Sequence, residues 1–184
     1  MDRSDRGKMK VLRKPWNYIR QRNWLKIPII ILGIYILLLM IVPLPHPLFS
    51  SDYATVLEDR DGQLLSATLS KDQQWRFPPA DSVPYKFRTA IRLFEDEYFY
   101  LHPGINPVSV IRAAKQNIEA GEIVSGGSTI TMQTIRLALS KPERTVLQKL
   151  YEMHLALKLD ILYSKKEILL MYTSHAPFGG NIVG

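Results

Sequence analysis

The chain has 184 residues, enough for one domain with a sizeable core plus an appendage, and a formal net charge of +7. Much of that excess is local: Arg3, Arg6, Lys8, Lys10, Arg13, Lys14, Arg20, Arg22 and Lys26 precede residue 27 against only Asp2 and Asp5. The charge therefore marks a basic tail rather than a nucleic-acid surface. Cysteine is absent, which excludes disulfides, thiolate metal sites and cysteine nucleophiles.

The tail, residues 1–26, runs into an uncharged apolar stretch over 27–45, long enough for a tilted helix to cross the hydrocarbon core. Leu48 and Phe49 before Ser50 and Ser51 leave no small-residue cleavage pair, so the stretch reads as a retained membrane anchor rather than a signal peptide. The positive-inside rule places the tail in the cytoplasm and the rest of the chain across the membrane. Residues 46–81 then form a spacer and a small β region. Its signals are a proline-rich exit, a hairpin turn at Asp61-Gly62 between residues 55–57 and 63–65, and an extended piece over 73–77 that joins the same sheet.

From residue 82 to 184 the periodicity is helical. Residues 85–100 carry Phe87, Ala90, Ile91, Phe94 and Tyr98 at three- and four-residue steps, an amphipathic helix expected to end where His102 meets Pro103. If helical to His102, the segment 95–104 (EDEYFYLHPG) brings Glu95, Phe99 and His102 onto one face, a carboxylate beside aromatic rings that could serve as a base. An ordinary helix end, with Phe94, Tyr98 and Phe99 in a core and the acids in water, fits the same ten residues. Asn106-Pro107 predicts an N-cap and first turn for a helix that runs to Ala120 and stops at Gly121.

Residues 124–129 (VSGGST) form a loop into a helix over 129–139, and free N–H groups at such a helix start suit a phosphate or pyrophosphate. On spacing alone it is equally an ordinary loop. Thr129, Gln133 and Arg136 make a polar stripe on that helix, which is solvated surface in the simpler reading. Pro142 opens the longest predicted helix, to about Leu162, with Leu147, Leu150, His154, Leu157 and Ile161 along one side and Arg144, Lys149 and Glu152 near its start. Ser164 to Glu167 is a capping box for a short helix to about Tyr172. The chain then stops at Gly184 with no further helix signal and reads as cut. No nucleophile elbow, Ser-x-x-Lys or Walker loop occurs, and His46, His102, His154 and His175 lack metal-ligand spacing.

Four ordered motifs carry a resemblance. They are Glu95-Asp96-x-x-Phe99-x-x-His102-x-Gly104, Gly127-Ser128-Thr129-Ile130-Thr131-x-Gln133, Lys149-x-x-Glu152 and Tyr163-Ser164-Lys165-x-Glu167-Ile168. In this order, behind one apolar segment, they resemble glycosyltransferase family 51, the peptidoglycan-polymerising module of class A penicillin-binding proteins. The Ala-Pro-Phe-Gly-Gly-Asn ending is most similar to the 1C type.

The resemblance implies a mainly α, lysozyme-like glycosyltransferase domain, incomplete at its C-terminus, with a small N-terminal β-hairpin region and one transmembrane helix. It implies polymerisation of lipid II on the outer face of a bacterial inner membrane, by inverting transfer that releases undecaprenyl diphosphate. Glu95 would be the general base and Glu152 the second acid near the departing diphosphate. Ser128, Thr129, Gln133, Arg136 and Lys149 would hold that leaving group, and Asp96, Phe99 and His102 would shape the pocket. The partners implied are lipid II, the growing glycan strand, the bilayer and other cell-wall synthesis proteins; no nucleic acid is. The sequence requires no cofactor, though the resemblance allows Mg or Mn.

The chain departs from the family pattern at Met132, where many members have Gln, at Arg136, where many have Lys, and at Gln148, where Arg commonly stands. In the fourth motif, Leu170 and Thr173-Ser174 replace the usual acid and Leu-Asn. The alternatives are an inactive truncated fragment, a membrane-anchored binding partner, and a lysozyme-like lytic enzyme that cleaves finished glycan with a single Glu.

Overall fold

The computed structural model describes residues 16–140 and 145–184, with side chains from residue 26 onward. The first part of the basic tail, together with Pro142 and Arg144, lies outside the described residues. Two compact units emerge, one ending at Val42 and the other running from Pro43 to Gly184.

The first unit contains α1, Trp16–Ile41. The helix begins inside the basic tail, earlier than predicted, and ends before the predicted limit of 45 because Pro43 and Pro45 cannot continue it. Its apolar side chains from Ile27 to Ile41 are exposed on every face. Among the described residues no helix is long and apolar enough to cross a membrane.

The second unit opens with a hairpin, β1 (Thr55–Glu58) antiparallel to β2 (Leu64–Thr68), as the Asp61-Gly62 signal predicts. Asp59 Oδ1 accepts from the backbone of Asp61 at 2.9 Å and Gln63 at 2.8 Å, which closes the turn. The extended piece does not join this sheet. β3 (Trp75–Arg76) pairs in parallel with β5 (Ile182–Val183), which is antiparallel to β4 (Pro177–Gly179). The tail of the chain, silent in helix signals, is thus strand. The buried Arg76 fastens the sheet, donating to Asp52 O at 2.8 Å and to Asp72 Oδ2 at 2.9 Å.

α2, Tyr85–Glu95, ends five residues before the predicted limit. Asp96 leaves the helical region (φ −162°) because its carboxylate is held elsewhere, as described below. Residues 96–104 are irregular, turns over 97–101 followed by bends over 102–104, rather than helix, so Glu95, Phe99 and His102 share no helical face. The predicted apolar stripe of α2 is not core either: it buries no residue, and Phe94 is 87% exposed.

α3, Pro107–Ala120, begins and ends as its caps predict, and α4, Ile130–Leu139, starts one residue later than predicted, with Thr129 as its N-cap. Asn106 accepts from Ser109 N, Gly121 takes φ +72°, and Thr129 accepts from Met132 N. α5, Val146–Leu162, starts from an N-cap at Thr145 rather than at Pro142. It buries Glu152, Leu155, Ala156 and Leu159, whereas Leu147 on the predicted face is 78% exposed and Leu150 and Ile161 are exposed as well. α6, Lys165–His175, has both bonds of the predicted capping box and extends one residue triplet past Tyr172. The second unit is mainly helical with α4 at its centre, packed on α5 and α6. Its core is Phe99, Ile130, Met132, Ile135, Leu155, Leu159, Ile168 and Leu169.

Candidate active site

The site is built on α4. The loop before it crosses α3 so closely that a Cβ at Gly127 would lie 2.8 Å from both Ser109 O and Val110 Cα. Gly127→Ala is therefore expected to push the loop off α3 and cost about 1–3 kcal/mol, seen as a lower midpoint in thermal melts followed by circular dichroism.

Thr129 is buried, and its hydroxyl serves structure twice: it donates to Gly104 O at 2.6 Å and accepts from Met132 N at 3.1 Å. The neighbouring loop is pinned to the same helix start. Asp96 receives His102 Nε2 at 3.0 Å on both oxygens, and its Oδ2 also accepts from Ile130 N at 3.2 Å. Lys165 donates to His102 O at 2.7 Å, sits 4.7 Å from the ring centre of the buried Phe99 and pairs with Asp160. Gly104 passes against the α5 backbone with φ +74°, where a side chain would strike Ala156 O. Asp96, Phe99 and His102 thus form the frame that fixes where α2 ends.

Glu95, the last residue of α2, is half-buried, and its Oε2 accepts from Gln133 Nε2 at 2.7 Å. One turn along α4, Arg136 grips Glu152 with two parallel bonds, Nε to Oε1 at 3.0 Å and Nη2 to Oε2 at 2.9 Å. Lys149 lies 3.9 Å from Glu152 Oε2 and donates to Ser128 Oγ at 2.6 Å. Gln133 and Arg136 stand three residues apart and project from one face of α4, so the two carboxylates they hold lie on that same side. The stripe is a joint between helices rather than solvated surface.

Glu152 is 3% exposed, a buried charge matched by Arg136. Its hydrogen bonds raise the Arg136 pKa against the opposing effect of burial. Burial first, and the Arg136 charge second, lower the Lys149 pKa, while Glu152 pulls it back up.

Gly126, Gly127, Ser128, Arg136, Lys149 and Glu152 form the polar wall of a cavity of about 550 Å³, faced by apolar residues of α3 and α5. Glu95 does not line that cavity. A residue missed in the sequence belongs to Glu95's surroundings: Tyr172 of α6, whose hydroxyl points to Gln133 Oε1 at 3.4 Å. As one aromatic residue near a helix end, it carried no chemical signal.

Among the described residues no group of three or more His, Cys, Asp or Glu could hold a metal ion. The donors near the cavity do not fit Mg or Mn, since both Glu152 oxygens are already engaged by Arg136.

A carboxylate and a cation cluster held from one helix face, in a mainly helical domain, is the arrangement the four motifs imply. The chain belongs to the transglycosylase family, whose profile matches residues 61–184. It is 40% identical over 141 residues to penicillin-binding protein 1C of Escherichia coli K12, covering 76% of this chain and 18% of that protein. It is 39% identical over 128 residues to penicillin-binding protein 1B of Haemophilus influenzae, covering 69% and 16%. It is 34% identical over 172 residues to penicillin-binding protein 1A of Aquifex aeolicus, covering 86% and 23%. The chain spans about a fifth of the length of these relatives.

Proposed function

We propose that the chain is a peptidoglycan glycosyltransferase that polymerises lipid II into glycan strands, on a lysozyme-like domain. The observation that carries this reading is that Gln133 and Arg136, one turn apart on α4, hold Glu95 and the Arg136–Glu152–Lys149 cluster on the same side of one helix. Glu95 takes the proton of the acceptor sugar's 4-hydroxyl as that oxygen attacks the donor's anomeric carbon. The bond from that carbon to the lipid diphosphate breaks, configuration inverts, and the diphosphate leaves with the electron pair.

Arg136, Lys149 and Ser128 on the polar wall receive the leaving group's charge. Glu152 braces Arg136 and sets the cation geometry rather than donating a proton, since its oxygens are committed. The lytic reading is weaker for that reason: the second carboxylate is neutralised, and a hydrolase does not need cations on a glycine-rich wall. Arg136 and Lys149 take the diphosphate charge.

The uncharged apolar stretch over 27–45, behind the basic tail, is proposed to anchor the chain in the inner membrane, N-terminus in the cytoplasm and catalytic unit outside. Its described helical part, 27–41, is apolar on every face but too short to span alone. Carbonate extraction of membranes is expected to leave the chain in the pellet, and deletion of residues 1–42 to release it.

The test of activity is incubation of the purified chain with labelled lipid II in detergent, with products resolved by length, beside a parallel incubation with finished glycan. Strands growing from lipid II support the reading. Fragments released from finished glycan, without growth, establish the lytic enzyme, and inertness in both favours the inactive fragment or the membrane-anchored binding partner. The pH profile carries a further expectation. Because Lys149 holds its proton less tightly than an ordinary lysine, polymerisation is lost as pH rises through its lowered value, below the usual lysine range of about 10.4. Lys149→Arg, which stays charged, moves that alkaline limb upward.

A further inference from the structure

The amide of Gln133 has two chemically different ends, and only one of them suits a carboxylate. Its Nε2 donates to Glu95 Oε2 at 2.7 Å; turned by half a revolution, it would set Oε1 against that oxygen and repel it. Nothing within α4 chooses between the two orientations. The Glu95 carboxylate, which can only accept, favours the N–H end, and α6 secures that choice from the other side. Tyr172, 5% exposed, places its hydroxyl 3.4 Å from Gln133 Oε1 and donates to it.

We infer that Tyr172 is a positioning residue for the base: its hydroxyl fixes the Gln133 amide with the N–H end toward Glu95, so that the carboxylate is held on the acceptor hydroxyl. The inference rests on the polymerase reading and deepens it at the same site.

Three physical points support it. Glu95 is the terminal residue of α2, where the backbone turns away at Asp96, so side chains rather than continuing helix must hold its carboxylate. Tyr172 is carried by a helix with a complete capping box and packed on α4 beside Ile168 and Leu169, both fully buried, so its ring is itself fixed. Finally, burial and the Glu95 charge push the phenol up to about 12 and the hydroxyl also reaches Glu95, so it remains a donor, shared between the amide and the carboxylate it helps to hold, throughout any working pH. A group that deprotonated near neutrality would release the amide; this one does not. The lock therefore runs from α6 through α4 to the end of α2 and touches no substrate.

The test compares the full chain with Tyr172→Phe, Gln133→Ala and the double variant in lipid II polymerisation. Tyr172→Phe keeps the ring and its packing, and is expected to lower kcat about tenfold, the effect of one hydrogen bond on the barrier, with KM within about twofold. The double variant is expected to be slower than Gln133→Ala by clearly less than the loss that Tyr172→Phe causes alone, because both groups hold one carboxylate. 4-Aminophenylalanine at position 172, which restores an N–H donor, is expected to recover kcat.

An active wild type with an unaffected Tyr172→Phe, or with a double variant whose losses multiply, overturns the inference and leaves the polymerase reading standing. An inert wild type sinks that reading instead. The lock is then read without turnover, from the Gln133 side-chain amide resonances in nuclear magnetic resonance. Spectra in which Tyr172→Phe leaves both Nε2 proton shifts unchanged overturn the inference; loss of the carboxylate-bonded shift supports it.

Discussion

Glu95→Gln is expected to stop strand growth from lipid II, with a loss of about 100- to 10,000-fold, while Asp96→Asn next to it fails for a different reason. Glu95 is half-buried and accepts from Gln133, and a glutamine of the same shape can re-pair with that amide. The variant should fold and melt like the parent but lack a proton acceptor. Asp96 is 7% exposed and collects His102 and the Ile130 amide, so replacing it with Asn removes charge-assisted bonds and costs about 2 kcal/mol or more of stability. Thermal melts read beside the polymerisation assay separate the two adjacent acids. An active Glu95→Gln would falsify the base assignment outright, and a fully stable Asp96→Asn would remove the frame argued for the loop.

What was legible in the sequence was mostly what is local. Asn106 and Ser164 cap their helices through partners three residues away, so the starts of α3 and α6 could be read directly. The end of α2 could not, because Asp96 is drawn out of the helix by an amide 34 residues away at Ile130. β3 was legible as extended, but its neighbour is a parallel strand at Ile182–Val183, a pairing no nearby turn announces. The buried face of α5 was misread because an acid ordinarily marks the wet side of a helix. Here Glu152 lies on the dry side, its charge met by Arg136, and the more continuous leucine line faces out.

The candidate site divides along the same line. The motif order brought Glu95, Gln133, Arg136, Lys149 and Glu152 together as a set, and the structure assembles them on one side of α4. Spacing could not distribute the labour among them. Thr129 shares the stripe with Gln133 and Arg136, yet its hydroxyl is consumed by Gly104 and Met132. Tyr172 joins from a helix whose own pattern is apolar, and only the three-dimensional approach to Gln133 reveals it.

The Arg136–Glu152 pair offers the sharpest separation of stability from chemistry. Arg136→Met leaves a carboxylate that is 3% exposed with Lys149 3.9 Å away as its remaining cation, and the expected cost is about 3 kcal/mol, near the lower end for breaking a buried pair. Polymerisation should fall with it, but loss of activity in an unstable variant proves little. Arg136→Met combined with Glu152→Leu removes both charges and fills the gap between α4 and α5 with apolar volume, which often restores or exceeds the parent stability. If Arg136 receives the diphosphate charge, the double variant melts near or above the parent yet remains at least about a hundredfold slower in strand growth. Recovery of activity together with stability would show that the pair merely joins two helices, and would leave Lys149 and Ser128 to meet the leaving group without it.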